Sequence, residues 1–351
     1  MLHEALLKMP LAEAAQAEEP LDRLLSGHDL SAEDSEALFG RLVAGELDET
    51  TMAALFVALR LKGETAAELI GAARALRAAA VPFERPDYVF ADSCGTGADG
   101  SGSINVSTAV AFIAAAAGLP IAKHGNRSIT SRCGSADVLE ALGAKIEIDP
   151  AKSRAMLDEL GLCFLFAPAY HPGLRHAGPV RRRLKVRTIM NFLGPCLNPA
   201  RPSVQLLGVA DPAKLEPVAR TLDALGVERA LVVHGAGLDE VALHGETQAV
   251  RLIDGEIEPL TIRPEDASLN RAPLEAVRGG DPAANAGQLR SLLGGSSEAA
   301  GRDLVLINTG ALLLTAGLAD DLKPGVGLAR DTLGSGKALR LLDRYVEASH
   351  G

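Results

Sequence analysis

The chain of 351 residues has no tryptophan, and aromatic residues make up only 3 % of it. Its apolar fraction of 47 % rests on Ala, Leu and Gly, which favour helices and close packing of small side chains. Positive charge is also short: the formal net charge is −10. That argues against a general nucleic-acid binder, which needs a basic surface to displace counterions, but leaves room for a local basic pocket and a small anionic substrate. The four cysteines, at 94, 133, 163 and 196, form no CxxC pair and read as scattered thiols in a reducing compartment. No long hydrophobic run is present. The most apolar stretch, Val106 to Leu119, is too short and too punctuated by Ser, Thr and Gly to span a bilayer. The first twenty residues carry neither a signal nor a transit pattern. These absences predict a cytoplasmic protein with no membrane and no nucleic-acid partner.

A length prior of about 150 residues per domain predicts two domains, or one large α/β domain with an accessory piece. Residues 1–19 read as an Ala/Glu-rich extension. Residues 20–85 read as a helical domain, with Leu21, Leu24 and Leu25 at helical spacing and Ser31 ahead of Asp34 as a capping start. Pro82 and Pro86 break that pattern. From 86 to 351, short apolar runs alternate with glycine loops and amphipathic stretches, the texture of a mainly parallel sheet flanked by helices. Tyr88–Ala91, Pro120–Lys123 and Ala230–His234 are predicted strands. Ser107–Ala117, Asp303–Thr315 and Lys337–Glu347 are predicted helices. Residues 264–300, rich in Pro, Gly, Asn and Ser, are predicted to be looser surface structure.

Four segments could carry chemistry. The first runs from Asp92 to Thr108, DSCGTGADGSGSINVST, between an apolar strand and an Ala-rich helix. Gly95, Gly97, Gly100 and Gly102 let the backbone turn and approach a ligand, and the helix start favours an anion. It matches neither the P-loop nor GxGxxG, so a tight turn with an ordinary cap is the competing reading. The second, Lys123-His-Gly-Asn-Arg127 with Ser128, Thr130, Ser131 and Ser135, combines positive charge with phosphate-compatible hydroxyls; a solvated polar loop competes with it. Two such loops at successive strand ends fit ligand binding outside the carboxyl edge of an α/β sheet. The third, Asp239-Glu240, offers adjacent carboxylates of the kind that bind Mg²⁺ together with phosphate oxygens, although a charged turn is the plainer reading. In the fourth, Tyr170 to Arg187, no zinc spacing appears, and one arginine could turn inward to clamp a carboxylate. No nucleophile elbow or Cys–His pair is evident.

Taken together, CGTGADGSGSINVST, KHGNRSITSRCGSAD, RTIMNFLGPCLNPARP and HGAGLDE resemble the anthranilate phosphoribosyltransferases, over nearly the whole chain from about Leu21 to Val346. The resemblance implies a small N-terminal helical domain, joined by helices from about 174–200, a large α/β domain, and a Mg²⁺-dependent homodimer. It implies transfer of the phosphoribosyl group of 5-phosphoribosyl 1-diphosphate (PRPP) to the amine of anthranilate. By position it assigns PRPP to Gly95, Ala98, Asp99, Ser103, Asn105, Val106, Ser107 and Thr108, and to Lys123, His124, Gly125, Asn126, Arg127, Ser128, Ile129, Thr130, Ser131 and Ser135. Anthranilate falls to Gly95, Asn126 and Arg181, and the metal to Ser107, Asp239 and Glu240. Ala98 departs from the family's GTGGD pattern, where its added methyl bears on substrate affinity. Tyr170 stands where many members have His, and no obligatory acid or base is assigned. Two alternatives follow: a pyrimidine nucleoside phosphorylase-like enzyme, whose phosphate loop reads KHSSG rather than KHGNR, and a non-catalytic paralogue binding nucleic acid, which the acidic pair and the charge of −10 disfavour.

Overall fold

The structure, a computed structural model, describes residues 20–97, 99–128 and 132–351. The expected extension at 1–19 therefore lies outside the described residues, as do Ala98, Ile129, Thr130 and Ser131.

The helical region begins with helical residues 20–25 and continues as α1 (Ala32–Ala44), α2 (Glu49–Lys62) and α3 (Ala66–Ala78). Each start is capped by a side chain, as the orphan N–H groups of a helix require. Ser31 accepts from the Asp34 N–H at 3.0 Å, as its place ahead of an acidic first turn predicts; Asp48 caps α2, and Thr65 with Glu68 forms a capping box on α3. Glu68 is fully buried, yet satisfied: it accepts from the Leu30 and Thr65 N–H groups and from Lys62 Nζ at 3.1 Å. Helices α1 and α3 cross so closely at Gly71 that a Cβ there would lie 2.1 Å from the Ala32 carbonyl oxygen.

The rest of the chain is a seven-stranded sheet in the order β3-β2-β1-β4-β5-β6-β7. Its strands are β1 (Ala91–Gly95), β2 (Ile121–Gly125), β3 (Leu162–Phe166), β4 (Val204–Gly208), β5 (Arg229–Gly235), β6 (Thr247–Ile253) and β7 (Glu256–Ile262). The first five are parallel, and β6 and β7 close the edge as an antiparallel hairpin. The flanking helices include α4 (Val106–Ala116), α5 (Ser135–Ala141), α6 (Pro150–Leu160), α7 (Ala177–Leu184), α8 (Leu215–Ala224), α9 (Pro282–Leu293), α10 (Ala299–Thr315), α11 (Leu322–Gly334) and α12 (Lys337–His350). The chain starts in the middle of the sheet, builds outward through β2 and β3, then returns to β4 on the other side of β1. That reversal leaves a crevice at the carboxyl ends of β1 and β4, the usual ligand position in open α/β sheets.

Two apolar cores lie on the two sheet faces. One gathers α4, α10, α11 and α12 around Ile113, Ile307, Leu313 and Leu342. The other is shared: Phe39, Phe56, Leu59 and Leu76 of the helical region pack with Val180, Ile189 and Phe192, with Val218 and Leu222 of α8, and with Leu207, Val232 and Leu252 from the sheet. Residues 177–197 thus belong to the same core as α1–α3 while also reaching the crevice. Among the described residues no helix is long and apolar enough to cross a membrane.

Two local expectations are corrected. The strand expected at Tyr88–Ala91 lies at Ala91–Gly95, because Tyr88 to Phe90 are the apolar approach to the sheet and the ladder with β4 starts at Ala91. Residues 264–300 are not simply loose. They contain α9, which buries Leu289, Leu292 and Leu293, and whose start is set by Asp281 accepting from the Ala284 N–H, with Pro282 in the first turn.

Candidate active site

At the carboxyl ends of β1, β2 and β4 lies a cleft of about 360 Å³. It is lined by the first glycine loop, by the loop after β2, by Arg181, by Met190 and Asn191, and by Asp239. Of the residues singled out in the sequence, Gly95, Asp99, Ser103, Asn105, Ser107, Thr108, Lys123, His124, Gly125, Asn126, Arg127, Ser128, Ser135, Arg181 and Asp239 all reach this one cavity. Val106 does not; its side chain is buried in the core behind the loop. Glu240 sits next to Asp239 but is not among the lining residues.

The first loop gets its shape from glycines used in two ways. Gly97, Gly100 and Gly102 adopt positive φ (67°, 77° and 60°), which other residues rarely hold. Gly95 is needed for space: a Cβ on it would lie 2.2 Å from Asp239 Oδ2. The same holds at the ends of the neighbouring strands, where a Cβ on Gly208 would meet the Asp239 carbonyl oxygen at 1.5 Å and one on Gly235 the Glu240 carbonyl oxygen at 2.2 Å. Three strand-end glycines therefore let the segment around Asp239 and Glu240 lie flat across the sheet edge. Asn308 of α10, fully buried, holds that segment from below: its Oδ1 accepts from the Val241 N–H at 2.8 Å, and its Nδ2 donates to the Val241 carbonyl at 2.9 Å.

The electrostatics at this end are unbalanced. Asp239 Oδ2 accepts from the Gly97 N–H at 2.6 Å. Burial, and then the charge of Asp99 beside it, push the Asp239 pKa up to about 7. Burial and the neighbouring Asp239 also hold Glu240 well above the ordinary carboxylate range. Carboxyls in this position gain from a cation. Among the described residues no group of three or more His, Cys, Asp or Glu side chains could form a complete metal site. The donor set fits a hard cation that takes one or two carboxylates and completes its shell with water and phosphate oxygens, as Mg²⁺ does.

The second loop is wired differently. Asp137 of α5 accepts from the N–H groups of Ser128 (2.9 Å) and Gly134 (2.8 Å), pinning both ends of the segment between them. Arg127 forms a two-pronged ion pair with Glu140, and its guanidinium lies 5.6 Å from the Phe166 ring centroid. Lys123 is 3 % exposed; its Nζ donates to the Ser93 carbonyl at 2.6 Å and to Ser107 Oγ at 3.1 Å. His124 and His171 are buried edge to face, ring centroids 5.2 Å apart, and burial lowers the pKa of both, that of His171 to about 4. Both rings are therefore neutral near pH 7.

Arg181 projects from α7 into the same cleft. Its guanidinium has no hydrogen-bond or ion-pair partner among the described residues, and burial lowers its pKa. Arg183, two residues on, is exposed and pairs with Glu49 of α2. The basic run thus holds both the exposed Arg182 and Arg183 and the half-buried Arg181, and nothing in the run's composition distinguishes them.

Several residues of the site carry no obvious sequence signal. Asn285 of α9 is buried; its Nδ2 donates to Asn105 Oδ1 at 2.7 Å, and its Oδ1 accepts from the Gly280 N–H at 2.6 Å. Asn105 in turn donates to the Cys133 carbonyl at 3.2 Å, so one amide chain joins both loops to α9. Asn191 and Met190, beside Arg181 on the wall, lie within the stretch RTIMNFLGP, and their place in that stretch was the available clue.

Residues 19–80 match the helical bundle domain of the glycosyl transferase family, and residues 87–339 match that family's a/b domain. The chain is 60 % identical over 329 residues to the anthranilate phosphoribosyltransferase of Sorangium cellulosum, covering 94 % of each chain. It is 49 % identical over 330 residues to that of Aeromonas salmonicida, covering 94 % of this chain and 98 % of the other. The crystal structure of the Thermus thermophilus enzyme superposes with a TM-score of 0.90 at 44 % identity, covering 94 % of this chain and 99 % of that one. The Saccharomyces cerevisiae enzyme, in complex with PRPP and Mg, superposes with a TM-score of 0.89 at 26 % identity, covering 96 % and 98 %. By these matches along nearly its whole length, the chain belongs to the anthranilate phosphoribosyltransferase family.

Proposed function

We propose that this protein transfers the phosphoribosyl group of PRPP to the amine of anthranilate, giving N-(5-phosphoribosyl)anthranilate and diphosphate, a step towards tryptophan. The observation that carries the reading is one cleft lined both by an unbalanced acidic group and by a half-buried Arg181 with no partner among the described residues. A polyanion bound with a cation complements the acids, and a carboxylate complements the arginine.

On this reading the two glycine-containing loops bind PRPP. The first would present backbone N–H groups and the start of α4, and the second Asn126, Ser128 and Ser135. Ala98, Ile129, Thr130 and Ser131, which lie outside the described residues, are expected to join them. Asp239 and Glu240, with Ser107, would hold Mg²⁺, which when bound offsets negative charge growing on the departing diphosphate. Arg181 would clamp the anthranilate carboxylate and Asn126 would orient the ring, with Gly95 at the shared boundary. The C1–oxygen bond of PRPP breaks with its electron pair on the diphosphate, the amine nitrogen forms the new bond to C1, and the nitrogen releases a proton. An aromatic amine is neutral at pH 7, so the site has to position it rather than deprotonate it first, and no side chain is assigned as an obligatory base.

The domain reading supported by the shared core is a helical part, residues 20–85 with 174–200, set against an α/β part, 86–351, with the cleft between. A homodimer through the helical part is supported by its exposed apolar side chains, Leu25 at 67 % and Leu61 at 82 %. A cytoplasmic location fits the scattered free thiols. The direct test mixes the protein with PRPP, Mg²⁺ and anthranilate and follows the loss of anthranilate fluorescence. Loss that requires all three components is expected. No loss with anthranilate, together with turnover of another amine or of a nucleoside and phosphate, would overturn the assignment.

A further inference from the structure

Strands β1 and β2 lie side by side but share a single register pair, Ala91 with Ile121. By contrast β1 pairs with β4, and β2 with β3, over five positions each. The two strands that carry the two ligand loops therefore part company one residue into the sheet. Unladdered backbone in a buried place must find other partners, and here side chains supply them. Asp92 Oδ1 accepts from the His124 N–H at 3.3 Å. Asn198 Nδ2 donates to Asp92 Oδ2 at 2.8 Å and to the Ala122 carbonyl at 2.7 Å, while its Oδ1 accepts from the Ala200 N–H at 2.9 Å. Asp92 and Asn198 are 0 % and 3 % exposed.

The pattern has a focus. The carbonyl before Lys123 is held by Asn198, and the N–H after Lys123 is held by Asp92. The residue between is gripped on both sides, and its ammonium crosses the parted strands to the Ser93 carbonyl and Ser107 Oγ. We propose that Asp92 and Asn198 are positioning residues for the phosphoribosyl-donor half of the site: they bridge the opening between β1 and β2 and fix Lys123, and through it the Ser107 hydroxyl. The inference rests on the proposed reaction. It also gives Lys123 a defined task, that of a buried strut that orders the first loop from below. Neither Asp92 nor Asn198 lines the cleft, so their effect on substrate is indirect.

The experiment compares Asn198→Ser, Asp92→Asn, Lys123→Met and the double variant N198S/K123M by steady-state kinetics, with Tm measured for each. N198S is expected to raise the KM for PRPP about tenfold to a hundredfold, the scale of losing a hydrogen bond to a buried charge, while the KM for anthranilate stays within about twofold. D92N, which keeps the side chain's size, should shift the PRPP KM in the same direction. In the Lys123→Met background N198S should add little, because residues acting through one another are not additive. Equal effects on both substrates, full additivity with K123M, or failure of both N198S and D92N to fold would overturn the proposal in favour of a purely structural role. Wild-type turnover separates the two claims: its absence would strike the proposed reaction, whereas additive losses on an active background strike only the positioning role.

Discussion

The two charged parts of the cleft are built from different regions of the molecule and leave opposite charges unmatched. The acidic part, with Asp99, Asp239 and Glu240, rests on the sheet itself: three strand-end glycines admit the 238–242 segment and Asn308 fixes it from beneath. The cationic part is one guanidinium on the short helix α7, whose buried residues Ala177 and Val180 belong to the core shared with α1–α3. The acidic part is braced by the sheet and carries too much negative charge; the cationic part belongs to a separate layer and carries a lone positive one. The contrast teaches that among the described residues neither half forms a finished ion pair; on the proposed reading the ligands would complete both, and specificity for the two substrates could be altered one at a time.

The comparison breaks most visibly at the acidic part. Asp239→Ala should lower kcat by at least about a hundredfold at limiting Mg²⁺, the scale seen when a group stabilising developing charge is removed. The measurement is turnover against Mg²⁺ concentration, and an unchanged curve would remove Asp239 from the metal site. At the cationic part Arg181→Ala should raise the KM for anthranilate roughly tenfold to a hundredfold with the PRPP KM little changed, since truncating one partner of a desolvated charge pair is costly. Arg183→Ala is the control: an exposed pair such as that with Glu49 contributes little, so both KM values should stay within about twofold. If the two arginines behave alike in steady-state kinetics, the distinction between the half-buried and the exposed arginine is wrong.

The smallest effect is the dependence on pH. Because the Asp239 pKa lies near 7, above its unfolded value, the metal-free folded protein holds a proton there that the unfolded chain has lost. Its contribution to stability is therefore fully present below the unfolded value, declines as pH rises, and is lost once pH passes about 7. Mg²⁺ needs the carboxylate, so binding should tighten modestly from pH 6 to pH 8 and release a proton. Calorimetric Mg²⁺ titrations in buffers of different ionisation enthalpy read both effects; an Asp239→Asn variant that keeps the same pH slope would show that another group is responsible.

Much of this was legible in the residues. The glycine loop, the KHGNR loop and the adjacent acids are contiguous in sequence, and contiguity survives folding, so their convergence on one cleft could be anticipated from their places at strand ends. The capping signal at Ser31 is equally local. What could not be read depends on partners far along the chain. Asn198 lies 106 residues from Asp92, and Asn285 lies 180 residues from Asn105. An asparagine looks the same in sequence whether it caps a surface turn or spans a buried gap between strands. The antiparallel β6–β7 hairpin also escaped, since Glu256–Ile262 exposes most of its residues and alternates poorly. Arg181 is singled out by resemblance alone; on its helix Arg182 and Arg183 have equal standing.

The strand order has a consequence in time. The glycines that admit the 238–242 segment stand at the ends of residues 91–95 and 204–208, which pair with each other, and Asn308 holds that segment at Val241. Contacts between such distant positions are slow to form, because a long loop must close before they return any stabilisation. The short-range helices α1 to α3 can form early, but the cleft exists only after the last of these long closures. Partly folded forms would thus have helical content without a complete acidic end, and recovery of Mg²⁺ binding would lag behind recovery of helix when the chain refolds.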